Sequence, residues 1–141
     1  MSSLLDHSPR DVALAARAAR VIVGAHVQLH WRSIESIRAW ATTRPRRIGA
    51  KPALLIAFRR AAARLPGTCL VRALALQRLL AEHGFASELR IGVAREEGVL
   101  LAHAWLVADS EVLVGGGHEA ETFTVLANWP HADAPGAGLF R

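Results

Sequence analysis

Apolar residues recur at helical spacing through the first half of the chain, which predicts a helical amino-terminal part. Between residues 12 and 31, alanine, valine, isoleucine and leucine return every three or four positions, with polar residues between them. Ser8 followed by Pro9 suits the start of this helix, because a hydroxyl caps a helix and proline fits its first turn. Ser33 is a similar cap for a shorter second helix.

A third helix is expected to open at Pro52 and to end near Arg64, because the Pro-Gly pair that follows cannot continue it. Residues 42–49 contain proline and glycine and predict the loop before it. The strongest helical pattern covers residues 68–83, with Gly84 as its carboxy-terminal stop.

Beyond this helix the apolar period shortens to that of strands. Asp109 and Ser110 are expected to form the turn of a tight hairpin. The fold class predicted is α+β, with helices followed by a small antiparallel sheet. The candidate strands are 86–94, 99–108, 112–114 and 122–126.

The length of 141 residues fits a single domain with one core. We divide it into a basic helical part (1–66), a part that carries the candidate chemistry (67–129) and a loosely held tail (130–141) rich in alanine, glycine and proline.

Positive charge is concentrated in the first part of the chain. Residues 1–66 hold 12 Lys and Arg against 3 Asp and Glu, whereas residues 67–141 hold 5 against 9. A basic half can bind an acidic peptide or nucleic acid, and the alternative is a preference for arginine on solvated helix faces. Because no aromatic stacking platform and no zinc-finger or RNA-binding signature accompanies it, we expect no nucleic-acid partner.

The sequence favours a cytoplasmic protein outside the membrane. No uninterrupted apolar run approaches the ~20 residues of a membrane span. The amino terminus shows no basic region, apolar run and cleavage site of a secretory signal. One cysteine cannot form an internal disulfide, which suits a reducing compartment and leaves the thiol free for chemistry.

That cysteine, Cys69, lies at the start of the strongest predicted helix, directly after Thr68. The unpaired N–H groups and the positive end of the helix dipole stabilise a thiolate over a thiol there. The same N–H groups can face the oxyanion that forms during acyl transfer. The alternative is a cysteine that only packs, since free cysteines are among the most commonly buried residues.

His103 lies in the apolar strand predicted over residues 99–108, on the face that also carries Leu101, Trp105 and Val107. A core histidine with satisfied hydrogen bonds is the alternative interpretation. A helix-borne cysteine followed by a strand-borne histidine is the order that a thiol peptidase or acyltransferase needs. The imidazole would take the thiol proton and later protonate the leaving amine.

Residues 50–127 closely resemble the carboxy-terminal half of lasso-peptide leader peptidases, and we expect this chain to be that B-protein half as a stand-alone protein. The resemblance depends on four blocks in order: a Cys-Leu-x-x-Ala-Leu helix, a glycine-ended loop, a Leu-x-Ile-Gly-Val strand and Ala-His-Ala-Trp. They occur at 69–74, 84, 89–93 and 102–105.

The resemblance implies a transglutaminase-like (papain-like) cysteine peptidase fold and ATP-independent removal of a leader from a ribosomally made precursor peptide. Cys69 would be the nucleophile and His103 the acid–base group. The expected partners are the precursor peptide, a separate leader-recognition protein and the ATP-dependent lasso cyclase. No cofactor and no metal is expected.

The third catalytic group departs from the pattern of that family, whose members carry an aspartate about a dozen residues after the histidine. Asp109 is too far from His103, because six residues of strand span roughly 20 Å. If the hairpin has a two-residue turn, Trp105 pairs with Val114, and the same register puts His103 opposite Gly116.

The position a dozen residues after the histidine is Gly115, which has no side chain. We predict Glu119 as the third member because it follows the glycines closely, with His118 and Glu121 as neighbours that could also fold back. A backbone carbonyl or Asn128 could orient the imidazole instead.

Two other patterns have a structural and a functional interpretation. The glycines at 115–117 either end a strand or leave room for a peptide beside the histidine. His26 and His30 are four residues apart on a predicted helix, but no third ligand accompanies them, so we interpret them as packing or surface residues.

Two further functions stay open at the level of sequence. The same Cys-His pair could serve an acyltransferase or amidase, in which an amine replaces water as the final nucleophile. The chain could instead be a non-catalytic module whose basic helices bind an acidic peptide. The arginine-rich residues 44–47 are either a partner contact or a solvated loop.

Overall fold

In the computed structural model, which describes residues 9–45, 47, 49–115 and 123–130, helices come first and strands follow. This order confirms the α+β prediction. The helices are α1 (Pro9–Trp31), α2 (Ile34–Ala41), α3 (Lys51–Arg64) and α4 (Cys69–Glu82). The strands are β1 (Glu88–Glu96), β2 (Val99–Ala108), β3 (Glu111–Val114) and β4 (Thr124–Pro130).

Local capping sets where the helices begin. The Ser33 hydroxyl accepts the Ser36 N–H at 3.3 Å at the start of α2, and the Thr68 hydroxyl accepts the Val71 N–H at 3.3 Å at the start of α4. The predicted cap of α1, Ser8, lies outside the described residues. The end of α4 also follows the prediction, because Gly84 adopts φ +82° there.

The strands form one antiparallel sheet in the order β3-β2-β1-β4. Asp109 and Ser110 both have positive φ, at 51° and 64°, as a two-residue hairpin turn requires, so the predicted turn is confirmed. β4 differs from its prediction: it extends to Pro130, because its second half pairs with the start of β1.

The core lies between the helices and one face of the sheet, with α4 at its centre. Nine of the 14 residues of α4 are buried. Leu89 and Leu106 are paired across β1 and β2, and both belong to this core together with Trp129 of β4. Gln77 of α4 is fully buried and donates through Nε2 to the Trp129 carbonyl at 2.8 Å. This bond joins the central helix to the edge strand β4.

Among the described residues, α1 is the one helix that is long and apolar enough to cross a membrane, by length and composition alone. Core helices of globular domains meet the same criteria. Four of its residues face the core, where α1 packs against α3 and α4. These are Ala18, Val21, Ile22 and Ala25.

The arginine-rich loop between α2 and α3 is attached to the end of α4. The Arg47 backbone N–H donates to the Glu82 carbonyl at 2.9 Å, and its guanidinium lies 3.9 Å from the Glu82 carboxylate. Arg44 is exposed, whereas Arg46 lies outside the described residues.

Candidate active site

Cys69 is the first residue of α4 and is half-buried. The Thr68 cap bonds the Val71 N–H, so the N–H groups of Cys69 and Leu70 are the ones in the first turn without an intrahelical acceptor. These donors and the thiol therefore lie at the same helix end, which is the arrangement that a nucleophile with an oxyanion site needs.

The loop before Cys69 is held by a histidine of α1. His26 Nε2 donates to the Pro66 carbonyl at 2.8 Å, while His30 Nδ1 donates to the His26 carbonyl at 3.0 Å. His26 therefore connects the longest helix to the segment that leads into α4. Sequence spacing did not indicate this role, because it depends on two residues that are 40 positions apart.

His103 lies in β2, half-buried between two aromatic rings. Its ring is stacked on Trp105, with centroids 5.9 Å apart and planes at 19°, and it lies 5.1 Å from Phe123. These contacts restrict the plane of the imidazole.

The imidazole also has a hydrogen bond between Nε2 and the carbonyl oxygen of Gly115. A carbonyl only accepts, so Nε2 must carry the proton. His103 Nδ1 then keeps its lone pair, and this is the nitrogen that can take a proton from a thiol.

Gly92 and Trp105 support this arrangement from the neighbouring strand. Gly92 lies opposite His103 in the register of β1 and β2. A Cβ added at Gly92 would come within 3.0 Å of the Trp105 ring and 2.8 Å of the Thr124 carbonyl. The indole can therefore lie beside the histidine because β1 has no side chain at that position.

The predicted register between β2 and β3 is correct at the turn and wrong beyond it. Val107 pairs with Val112 as predicted, but Val114 pairs with Leu106 and not with Trp105, because the register shifts by a bulge between them. The glycine that follows, Gly115, therefore reaches the histidine. Its φ is +75°, and an added Cβ would lie 2.5 Å from the Ala104 carbonyl, so glycine alone fits there.

The group that bonds the imidazole is thus a backbone carbonyl, one of the alternatives that the sequence left open. Glu119, together with His118 and Glu121, lies outside the described residues, so its predicted role stays a prediction. Asn128 lies opposite Arg90, in the row of Trp105 and not in that of His103. Asp109 is a turn residue, as expected, and its carboxylate accepts from Lys51 Nζ at 2.7 Å.

The structure does not join Cys69 and His103 by a hydrogen bond. Leu106 faces the core, so His103 and Trp105 lie on the opposite face of the sheet by strand alternation. α4 packs against the core face. Within the described residues, the imidazole bonds to Gly115, and the Cys69 thiol has no hydrogen-bond partner.

A cavity of about 240 Å³ is lined in part by the first turns of α4. It lies between α3, α4 and the edge strand β3. Arg72, one helical turn after Cys69, lines one side, and Val114, which directly precedes Gly115, lines the other. The cavity therefore adjoins both the helix that Cys69 opens and the strand that precedes Gly115.

No metal-ligating group of three or more His, Cys, Asp or Glu side chains occurs among the residues that the structure describes. His26 and His30 each use one ring nitrogen to bond a backbone carbonyl, which agrees with a packing role for both.

The α+β fold, with a cysteine opening the central helix and a histidine in the sheet, defines a class of thiol enzymes and their relatives. The chain belongs to the transglutaminase-like superfamily, whose family model matches residues 12–128. Proteins of this superfamily are generally cysteine peptidases or acyltransferases, and some are non-catalytic. Comparison with curated proteins and with solved structures gave no match.

Proposed function

We propose that this protein is a cysteine peptidase that removes the leader from a ribosomally made lasso-peptide precursor. The observation that carries the proposal is the bond between His103 Nε2 and the Gly115 carbonyl. It fixes the tautomer that leaves Nδ1 basic, in a protein whose single cysteine opens a capped helix. The four sequence blocks shared with leader peptidases direct the proposal to this substrate.

The reaction begins when His103 Nδ1 takes the proton of the Cys69 thiol and the thiolate attacks the scissile carbonyl carbon. The resulting oxyanion accepts hydrogen bonds from the N–H groups of Cys69 and Leu70. As the carbon–nitrogen bond breaks, the imidazolium gives its proton to the leaving amine of the core peptide. The leader is then held as a thioester on Cys69.

Hydrolysis completes the cycle. The neutral imidazole removes a proton from a water molecule, which attacks the thioester and releases the leader as a free carboxylic acid. The Cys69 thiolate recovers its proton from the imidazolium. No cofactor or metal takes part in these steps.

Binding of the precursor and its recognition protein brings Cys69 and His103 together in this proposal. In the free chain, α4 packs on the core face of the sheet and His103 lies on the opposite face, so the proposed reaction requires a rearrangement that the binding of these partners would drive. The same partners, with the ATP-dependent lasso cyclase, would meet the enzyme in the cytoplasm. The excess of Lys and Arg over Asp and Glu in residues 1–66 suits an acidic leader.

The direct test combines the purified protein, a precursor peptide and the leader-recognition protein, with products followed by mass spectrometry. We expect release of the leader with a free carboxy terminus, and a loss of at least about 1,000-fold for Cys69→Ala. Circular dichroism of the variant provides the control for folding. A correctly folded Cys69→Ala variant that cleaves as fast as the wild type would exclude the proposal.

Acyl transfer is the second candidate, favoured by membership of a superfamily that includes acyltransferases. The thioester would then be resolved by an amine instead of water. The mass of the product separates the two reactions, because hydrolysis gives a free acid and transfer gives a new amide.

A non-catalytic peptide-binding module is the third candidate, favoured by the absence of a hydrogen bond between Cys69 and His103 in the described residues. Such a module would bind the leader in a strongly salt-dependent way, and its thiol would react slowly with iodoacetamide at neutral pH. Rapid alkylation of Cys69 would count against it.

A further inference from the structure

The cavity between α3, α4 and β3 has an apolar wall and a cationic rim. Its volume of about 240 Å³ is below the ~300–1,000 Å³ of typical small-molecule sites and suits a single side chain. Seven of its nine lining residues are apolar: Leu55, Phe58, Ala62, Ala63, Leu76, Leu113 and Val114. The charged groups on it are the guanidinium groups of Arg59 and Arg72.

Arg72 is the unusual member of this set. Its Nε is buried without a hydrogen-bond partner, and its Nη2 makes one long bond of 3.4 Å to the Ala62 carbonyl. A guanidinium carries five donors, and leaving them unpaired away from water is unfavourable. The ion pairs of the described residues involve other arginines, so Arg72 has no acidic partner among them.

The position of Arg72 connects the cavity to the candidate chemistry. Residues three apart on a helix lie on one face about 5–6 Å from each other, so Arg72 and Cys69 are neighbours. Val114 on the opposite wall precedes Gly115, the acceptor for His103. A group seated in the cavity would therefore lie close to a peptide bond that is presented to Cys69.

We propose that this cavity is a specificity subsite for an acidic side chain of the peptide substrate. The methylene groups of the side chain would pack on the leucines and Phe58, and its carboxylate would accept hydrogen bonds from Arg72, with Arg59 at the mouth. A planar guanidinium suits a carboxylate because it can bind both oxygens at once. This inference rests on the proposed function for the identity of the ligand, but the cavity can be tested without catalysis.

The test is a titration of the full chain with hexanoate, with hexylamine and hexan-1-ol as matched probes of opposite and zero charge. Methyl resonances of Leu55, Leu76 and Leu113 report binding by NMR. We expect saturable shifts with hexanoate and an affinity about tenfold or more above that for hexan-1-ol, since a charge-assisted bond contributes more than a neutral one. Equal binding of hexanoate and hexylamine would overturn the proposal.

Variants assign the effect to the two arginines. Arg72→Met should lower hexanoate affinity to that of hexan-1-ol, and Arg59→Gln should lower it about threefold while hexan-1-ol binding is unchanged. Arg64→Gln removes the same charge from α3 outside the cavity, so it should change the affinity neither for hexanoate nor for hexan-1-ol. If Arg72→Met does not fold, Arg59→Gln against Arg64→Gln decides the question, and equal effects of the two contradict the proposal.

A competition assay separates this inference from the proposed function. If the cavity is a substrate subsite, hexanoate raises the KM for precursor cleavage and leaves kcat unchanged. Hexanoate that binds the cavity without raising KM excludes the subsite while leaving the peptidase intact. Failure of precursor cleavage with intact hexanoate binding would instead contradict the proposed function.

Discussion

The imidazole of His103 is hydrogen-bonded through Nε2 to the carbonyl of Gly115, twelve residues further along the chain. Lasso-peptide leader peptidases, which the sequence resembles, carry an aspartate at about this distance. Here the bulge between β2 and β3 turns the backbone so that a main-chain acceptor reaches the ring. A neutral carbonyl fixes the tautomer of the histidine but brings no negative charge to stabilise an imidazolium.

Gly115→Ala is expected to disturb this acceptor. Gly98 has a similar φ of +81° but no atom within 4 Å of an added Cβ, so Gly98→Ala tests the backbone strain alone. We expect Gly98→Ala to lower the free energy of unfolding by about 1–2 kcal/mol. Gly115→Ala should lower it by about 1–3 kcal/mol more, because its Cβ would also meet the Ala104 carbonyl.

Urea denaturation measures both changes, and a cleavage assay adds the functional contrast. Cleavage should fall about 10- to 100-fold in Gly115→Ala and stay unchanged in Gly98→Ala, because a misplaced imidazole slows proton transfer. Equal stability and equal cleavage in the two variants would show that the Gly115 contact has no special role.

The caps of α2 and α4 provide a second matched pair. Thr68→Ala and Ser33→Ala each remove a hydroxyl that accepts one backbone N–H at 3.3 Å, so each should lower the free energy of unfolding by about 1 kcal/mol. Only Thr68→Ala loosens the turn that carries Cys69. We therefore expect slower iodoacetamide alkylation and slower cleavage for Thr68→Ala alone, and parallel losses in both variants would contradict this.

Asp109→Asn should leave cleavage unchanged. The carboxylate is highly exposed and pairs with Lys51 at 2.7 Å, so its loss should change the free energy of unfolding by less than about 1 kcal/mol. Asparagine tolerates the positive φ of the turn, which keeps the hairpin intact. A large loss of cleavage with unchanged stability would identify Asp109 as part of the catalytic site.

Gln77→Glu should make stability strongly dependent on pH. The side chain is fully buried, so the glutamate would have a folded-state pKa above its unfolded value of ~4.3. The folded state then binds more protons, so the free energy of unfolding falls as pH rises from about 4.3 to the folded pKa. We expect a loss of about 3 kcal/mol at pH 7 that largely disappears near pH 4.

Thermal unfolding of Gln77→Glu between pH 4 and pH 8 measures this dependence. Gln77→Leu, which has no titratable group, provides the control and should show the pH profile of the wild type. A pH-independent loss in Gln77→Glu would mean that the carboxylate escapes to water, and the buried bond between α4 and Trp129 would then not be the constraint that we describe.

Local sequence determined most of the elements. Capping residues, prolines and the Gly84 stop set the helix boundaries, because they act on backbone groups a few residues away. The hairpin turn at Asp109 and Ser110 followed from turn chemistry in the same way. The positions of Cys69 at a helix start and His103 in a strand therefore required no tertiary information.

Only the tertiary structure decided what surrounds these two residues. The bulge that brings Gly115 to His103 depends on contacts across the sheet, and strand alternation alone placed Gly116 there instead. The bond from His26 to Pro66 and the cavity at Arg72 join residues that are distant in sequence. Periodicity reports which face of an element is apolar, but it contains no information about which distant group will meet that face.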